Sequence, residues 1–387
     1  MIPQRRSRSS ELCLLCPKLC NDVCPVSEAV PREAFSPWAK SALAHLAAAP
    51  GAVASDRASE SFSACTGCLR CTAHCPHGND VPSILEEARA SSVRGGSAPE
   101  TLARLAMRFA AQGHSAPSGG ADVAETAAAL AHEEALRARL PRPVRAKESA
   151  EPQAMLFVGC EALARGPTPA RRALAVARAL GAPLLLAPES ALCCGARLIE
   201  GGHPEMFAAH AVRTRKELLR AVERAPAKRP RQIVFLSSSC AESVRRRWPA
   251  AGAALPDDCA AEHITTYLAR ALAEHPQRAR PKLRETVALH DPCSLARGLG
   301  ETAAPRALLA AAVEGVREPR LCGAETGCCG AGSLLPETLP AASAEMARVR
   351  REQLAACEQP AVSATLGCSV QLGVEDLLEL LARWLGV

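Results

Sequence analysis

Cys65-Thr66-Gly67-Cys68-Leu69-Arg70-Cys71-Thr72-Ala73-His74-Cys75-Pro76 spaces four cysteines at gaps of two, two and three residues and closes on Cys-Pro. A cubane iron–sulfur cluster needs four thiolates converging from different directions. Two-residue gaps let one tight loop wrap a corner of the cube with three of them, and the fourth comes from another run. A second run stands upstream: Cys13, Cys16, Cys20 and Cys24, followed by Pro25. We therefore assign Cys65, Cys68 and Cys71 with Cys24 to one four-iron cluster, and Cys13, Cys16 and Cys20 with Cys75 to a second. Pro25 and Pro76 then turn the chain away at fixed φ. The first run departs from the pattern. Its second gap holds three residues (Pro17, Lys18, Leu19), which places Cys20 one residue late and predicts a looser loop. Zinc is the competing reading, but zinc sites favour two CxxC pairs separated by a longer spacer. Two four-cysteine runs ending in Cys-Pro favour iron–sulfur, and with it a chain that carries electrons.

At 387 residues the length allows two or three domains, and 48% hydrophobic content suffices for packed cores. Aromatics make up only 3%, so those cores rest on Leu, Val and Ala. The 19 cysteines far exceed what packing needs. Arg5, Arg6 and Arg8 lead into cysteines and not into an apolar stretch, so no signal peptide is read. No apolar run is long enough for a transmembrane helix. The expected compartment is therefore cytoplasmic, with a peripheral position at the inner face of the membrane left open, and the cysteines read as metal ligands and not disulfides. The formal net charge of +6 is scattered, with short runs at Arg5-Arg6 and Arg245-Arg246-Arg247. Nucleic-acid binding would want a basic stripe interleaved with aromatics, so no nucleic-acid partner is expected. A basic face suits an acidic redox partner.

The expected fold class is α+β and multi-domain. An N-terminal all-α-type dicluster module (1–95), with the spacing of bacterial ferredoxins, precedes a helical connector (96–152). Two duplicated α/β domains follow, at 153–280 and 281–387. Helices are predicted over 37–49 and 81–90, where Pro82 suits a first turn, and over 101–111 and 124–140. A loop is predicted at 115–121, and Pro141-Arg142-Pro143 ends the connector. Beyond Pro152, apolar runs at 155–158, 184–186 and 233–236 alternate with helical patterns at 170–180 and 204–221, as in a parallel α/β sheet. Runs at 287–289 and 361–364, with helices at 342–357 and 374–385, repeat the order. The text repeats too. Cys160-Glu161-Ala162-Leu163-Ala164-Arg165-Gly166 parallels Cys293-Ser294-Leu295-Ala296-Arg297-Gly298, and Cys193-Cys194-Gly195-Ala196 parallels Cys328-Cys329-Gly330-Ala331.

Each copy thus offers a lone cysteine, a Cys-Cys-Gly and another lone cysteine: Cys160, Cys193, Cys194 and Cys240, then Cys293, Cys328, Cys329 and Cys368. The lone cysteines fall just beyond predicted strands, at the carboxyl edge where parallel sheets bind ligands. Adjacent cysteines chelate one ion poorly but can reach different metals of a multi-iron cluster. Gly195 and Gly330 permit the close backbone approach that a crowded pocket demands. One or two further iron–sulfur clusters are therefore read here.

With His290-Asp291-Pro292-Cys293 and Gly367-Cys368-Ser369-Val370-Gln371-Leu372, this arrangement resembles the Cys-Cys-Gly domain family. That family occurs in heterodisulfide reductase catalytic subunits and in iron–sulfur subunits of glycolate, lactate and anaerobic glycerol-3-phosphate dehydrogenases. The whole chain looks most like the glycolate oxidase iron–sulfur subunit and its heterodisulfide-reductase-related relatives. Such domains often close in CxxC, whereas here Ser237 precedes Cys240, and Ala364 or Thr365 stands at the matching place before Cys368. Four thiolates per copy, not five, leave room for a simpler four-iron cluster.

No strand-GxGxxG-helix fingerprint is present. The resemblance therefore implies an electron-transfer subunit that relays electrons from a separate flavoprotein dehydrogenase, of the 2-hydroxy-acid type, to a quinone or other carrier. The alternative is an enzyme that reduces a disulfide at a Cys-Cys-Gly cluster, and a redox sensor with structural clusters is a third class. No catalytic acid–base pair is identified. Cys322 is an additional ligand candidate. Cys259 reads as a bystander in a polar loop after Pro256-Asp257-Asp258, and Cys357 as packing. His290 is either a proton donor or potential-tuning partner, or a structural strand-end histidine. His74 and His77 shape the loop at Cys75.

Overall fold

The computed structural model describes residues 10–49, 51–116, 120–139, 154–224 and 231–387. Arg5, Arg6, Arg8, the centre of the loop at 115–121, Leu140, Pro141-Arg142-Pro143 and Pro152 lie outside them.

Side-chain caps and prolines start the N-terminal helices. Ser36 caps Pro37–Ala47 by accepting from Ala39 N, Ser55 caps Asp56–Ser63 through Ala58 N, and Asp80 caps Val81–Gly95 through Ser83 N. Their buried faces meet around Phe62, Ile84 and Leu85. Helix Glu100–Gln112 follows and stops at Gly113, whose φ of 71° ends it in the left-handed region. Val123–Arg139 completes the connector.

The first sheet has β1 (Ala154–Phe157), β2 (Leu184–Leu185), β3 (Arg231–Phe235) and β4 (Cys259–His263), all parallel in the order β2-β1-β3-β4. The second has β5 (Leu283–His290), β6 (Val313–Arg317), β7 (Ala361–Ser363) and β8 (Glu375–Asp376), all parallel in the order β6-β5-β7-β8. The order is the same in each half, so the duplication read in the text is a duplication of topology. Three strands escaped the sequence reading, and all three lie at sheet edges: β4, β6 and β8. Cys259 is corrected accordingly: it is buried at the start of β4, paired with Arg231, and not in a polar loop. The closing helix begins at Leu377, because β8 takes Glu375–Asp376. Helix Pro340–Ala355 stops before half-buried Cys357.

One apolar core runs through both sheets, from Phe157, Ile233 and Phe235 to Leu289, Leu308 and Trp384. The halves join through reciprocal helix pairs. Thr168–Ala179 packs on Leu377–Leu385, and Ile264–Glu274 on Ala303–Ala312. In each pair the long helix between a copy's first two strands meets the last helix of the other copy, as in a two-fold interface. Arg172 donates to both carboxylate oxygens of Glu379 across it (3.1 and 2.9 Å).

Asp376 caps the last helix through Leu378 N (3.0 Å), and burial raises its carboxyl to about 6. A raised folded value means that the protonated group favours the fold. Its contribution is intact below the ordinary value near 3.8 and is lost as pH rises through about 6. Asn keeps the capping oxygen without the charge. Asp376→Asn is therefore expected to stabilise the chain by about 1–3 kcal/mol near pH 8 and not near pH 4, as read from denaturant midpoints at the two pH values.

Candidate metal centre

The two sheets present their carboxyl edges with the same offsets. Cys160 and Cys293 lie three residues past the ends of β1 (Phe157) and β5 (His290); Cys240 and Cys368 lie five past the ends of β3 (Phe235) and β7 (Ser363). In each sheet these are the two adjacent central strands, so the lone cysteines converge, and the Cys-Cys-Gly turns close on them. In the first half Cys160 Sγ lies 3.5 Å from Cys193 Sγ, and Cys194 interacts with Cys193 and Cys240. In the second, Cys329 Sγ is 3.1 Å from Cys368 Sγ and Cys293 Sγ is 4.0 Å from Cys328 Sγ. Gly195 and Gly330 have φ of 77° and 90°. A Cβ on Gly330 would stand 2.6 Å from the Ser343 carbonyl oxygen, so the turn needs glycine.

The surroundings of the quartets differ. In the first, Ser115 Oγ lies 3.4 Å from Cys193 Sγ, His210 Nε2 is 2.7 Å from the Cys193 carbonyl and Trp248 Nε1 donates to that of Cys194 (3.1 Å). In the second, fully buried His290 comes together with Cys329 and Cys368, their ligand-type atoms all within 4.8 Å of one another. Arg350 Nε donates to His290 Nδ1 (3.0 Å), which leaves the proton on Nε2, and Nε2 has no protein partner. Burial and the charges of Arg350 and Arg297 hold His290 well below the usual histidine range, hence neutral. Asp291 accepts from Arg306 through both oxygens (2.8 Å each) and from Gly323 N (2.6 Å), fixing the start of the Cys293 turn.

The CxxC positions are hydroxyl-lined. Ser237 stands at the N-cap position of the Cys240 helix without a side-chain cap bond, and the adjacent Ser238 Oγ contacts Ser294 Oγ (2.6 Å) and donates to Thr365 Oγ1 (3.4 Å) across the two halves. Half-buried Cys322 sits among Glu318, Asp291 and Arg306, not among the quartet sulfurs, and is not brought into either group. Cys357 lines an open hollow with Arg317 and Arg320.

In the N-terminal module, Cys24, Cys65, Cys68 and Cys71 all line one small cavity. Burial, followed by repulsion from Cys24, Cys68 and Cys65, pushes the Cys71 thiol well up. Four sulfurs line one cavity, and burial together with neighbouring sulfurs pushes the Cys65, Cys68 and Cys71 thiols up, a donor set that a multi-iron cation relieves. Cys13, Cys16, Cys20 and Cys75 form the outer group. Burial, then the proximity of Cys13, raises Cys20 to about 11, with Cys16 and Cys24 also acting on it. Asn79 Nδ2 donates to Cys13 Sγ (3.3 Å). The three-residue gap is not loose. Lys18 absorbs the extra residue at φ 66°, with its ammonium 3.9 Å from the Trp38 ring centroid and 3.2 Å from Glu33. His74 Nε2 ties the Cys75 loop to Glu325 of the second half (2.7 Å), while His77 is exposed.

A 4Fe-4S dicluster domain matches residues 9–79, and a cysteine-rich domain matches twice, at 154–245 and 287–373. The chain belongs to the iron–sulfur proteins that join a 4Fe-4S dicluster domain to paired cysteine-rich domains. This iron–sulfur redox protein is homologous to a subunit of the dihydromethanophenazine:CoB–CoM heterodisulfide reductases of Methanosarcina. It is 26% identical to the Methanosarcina barkeri protein and 25% to that of Methanosarcina mazei, each over 342 residues, covering 84% of this chain and 78% of the relative. The Methanosarcina acetivorans protein is 25% identical over 339 residues. The dicluster domain carries two [4Fe-4S] clusters. No helix among the described residues is long and apolar enough to cross a membrane.

The sequence reading missed Lys40, Arg89, Arg297 and Arg350, the cations that approach the sulfurs. Lys40 left one signal: it shares helical spacing with the buried Pro37, Ser41 and Ala44.

Proposed function

We propose that this chain is the electron-transfer subunit of a multi-subunit oxidoreductase. One cluster is assigned to Cys24, Cys65, Cys68 and Cys71, and the other to Cys13, Cys16, Cys20 and Cys75. The quartets Cys160/Cys193/Cys194/Cys240 and Cys293/Cys328/Cys329/Cys368 are assigned further iron–sulfur clusters, and the chain is divided at 1–95, 96–152, 153–280 and 281–387. When bound, such clusters take up and release single electrons.

The observation that carries this reading is a junction. Cys68 packs directly against Cys328, with Cys293 beside them, so the inner N-terminal group and the second-half quartet share a wall. Cys328 Sγ also contacts Thr66 Oγ1 (3.4 Å), and Arg297 Nε donates to the Cys68 carbonyl (2.6 Å). These residues are buried or half-buried, and they keep water out and fix the two thiolate groups at contact distance. The outer group, with Cys16, Cys20 and Cys75 half-buried, faces a partner; a flavoprotein dehydrogenase of the 2-hydroxy-acid type fits that place, with a quinone or other carrier as acceptor.

The names of the relatives favour a second reading, reduction of a disulfide at a cysteine-rich quartet. Anaerobic assay of the loaded chain with reduced viologen and a panel of disulfides separates the two. The carrier reading expects viologen re-oxidation only with an added protein or quinone partner. Rapid disulfide turnover by the isolated chain would overturn it.

A further inference from the structure

Lys40 is 1% exposed, in the middle of helix Pro37–Ala47, and its ammonium makes one hydrogen bond, to the Ala64 carbonyl (2.5 Å). Its side chain lines the same cavity as Cys24, Cys65, Cys68 and Cys71. Arg89, 4% exposed on helix Val81–Gly95, donates to the Phe62 carbonyl (2.9 Å) and leaves its Nε buried without a partner. Arg297 donates to the Cys68 carbonyl and has a buried, unpartnered terminal nitrogen. Among the described residues Lys40 and Arg89 are not ion-paired with a carboxylate, whereas half-buried Arg297 also donates to the Ala324 and Thr326 carbonyls and has Glu325 near it.

A buried charge without a counter-charge is unfavourable by several kcal/mol, so such a charge calls for a compensating anion. The anion at hand is the thiolate group: Lys40 and Arg89 both favour the charged form of Cys65, Lys40 that of Cys71, and Arg297 that of Cys68. Among the described residues, no cation is found acting on Cys13 or Cys20 of the outer group. Cys13 is approached by the neutral Asn79 and Ser41, and Cys20 only by other thiols beyond its own backbone. Lys18, the cation in that loop, is paired with Glu33.

Resting on the cluster assignment above, we propose that Lys40, supported by Arg89 and Arg297, is the counter-ion that makes the inner centre the higher-potential one of the N-terminal pair. One-electron reduction adds a negative charge, without a proton, to a thiolate group that is already anionic. An uncompensated ammonium in the cavity wall favours that reduced form. The electron taken from an external one-electron donor therefore rests beside Cys68, against the second half, and not at the outer group.

The test is a potentiometric titration of the anaerobically reconstituted full-length chain, read by electron paramagnetic resonance. Lys40→Met keeps the unbranched apolar stem of the side chain and removes its charge. The expected result is an unchanged iron content with one N-terminal midpoint shifted negative by at least about tenfold in its one-electron equilibrium, 59 mV. Midpoints that do not move at full iron content would overturn the inference. Should Lys40→Met fail to load, Cys16→Ala in the otherwise native chain decides the same point. It removes the outer centre and is expected to leave the higher of the two native midpoints; retention of the lower one contradicts the proposal. Absence of any four-iron signal from the native chain would overturn the cluster assignment, and this inference with it.

Discussion

Cys71→Ala is expected to halve the iron held by the dicluster domain, from about eight atoms to about four, and to leave the α/β halves folded. Cys71 sits in the short helix Arg70–Ala73, buried, where it lines the cavity with Cys24, Cys65 and Cys68. Alanine leaves three sulfurs where a cubane needs four. Cys71 packs with Ala44, Phe62, Val81 and Leu85, a set separate from the core that joins the two sheets. Circular dichroism of the α/β halves should therefore persist while iron is lost. Cys259→Ala is the matched control: Cys259 is equally buried, but it belongs to β4 and to none of the four sulfur groups. Its iron content should not change. Native iron in Cys71→Ala would refute the assignment of Cys71.

Gly332→Ala is expected to loosen the junction between the dicluster domain and the second half. A Cβ at Gly332 would overlap the Thr66 carbonyl oxygen and lie 3.2 Å from Thr66 Cβ. Thr66 is the residue whose hydroxyl meets Cys328, two positions before Cys68. Backbone cannot yield as a side-chain tip can, so the loop carrying Thr66 and Cys68 must step away from Cys328. Overpacking of this kind costs about 1–3 kcal/mol. The measurement is the unfolding midpoint of the loaded chain, with Gly95→Ala as control, where the new methyl meets only Val53 Cγ1 at 3.5 Å. The expected pattern is a clear drop for Gly332→Ala and a change within about 1 kcal/mol for Gly95→Ala. Equal midpoints would mean that the junction does not hold the loop.

The four sulfur groups are legible because their chemistry is local in sequence: short fixed gaps in the N-terminal runs, and constant offsets from apolar strands in the two halves. The central strands β1, β3, β5 and β7 stand out as apolar runs for the same reason, since burial on both faces demands them. The edge strands β4 and β6, with residues such as Glu262, Glu314 and Gly315, are partly exposed and carry no such run, and β8 has only two residues. Cys259, at the head of β4, therefore reads as a loop residue. The gap at Lys18 reads as slack because spacing says nothing of backbone handedness or of the Trp38 and Glu33 contacts that pin it. Lys40, Arg89, Arg297 and Arg350 are not legible as site residues. A cation's burial there depends on the docking of segments far apart in sequence, as with Arg350 and His290, sixty residues apart.

Counting iron and acid-labile sulfide in the anaerobically reconstituted full-length chain, with electron paramagnetic resonance on the same samples, decides whether all four cysteine groups serve iron–sulfur clusters. The expected count is about sixteen irons per chain, four for each group, with matching sulfide. About eight would contradict it, because the Cys-Cys-Gly quartets would then hold no cluster and the contact of Cys68 with Cys328 would lead nowhere.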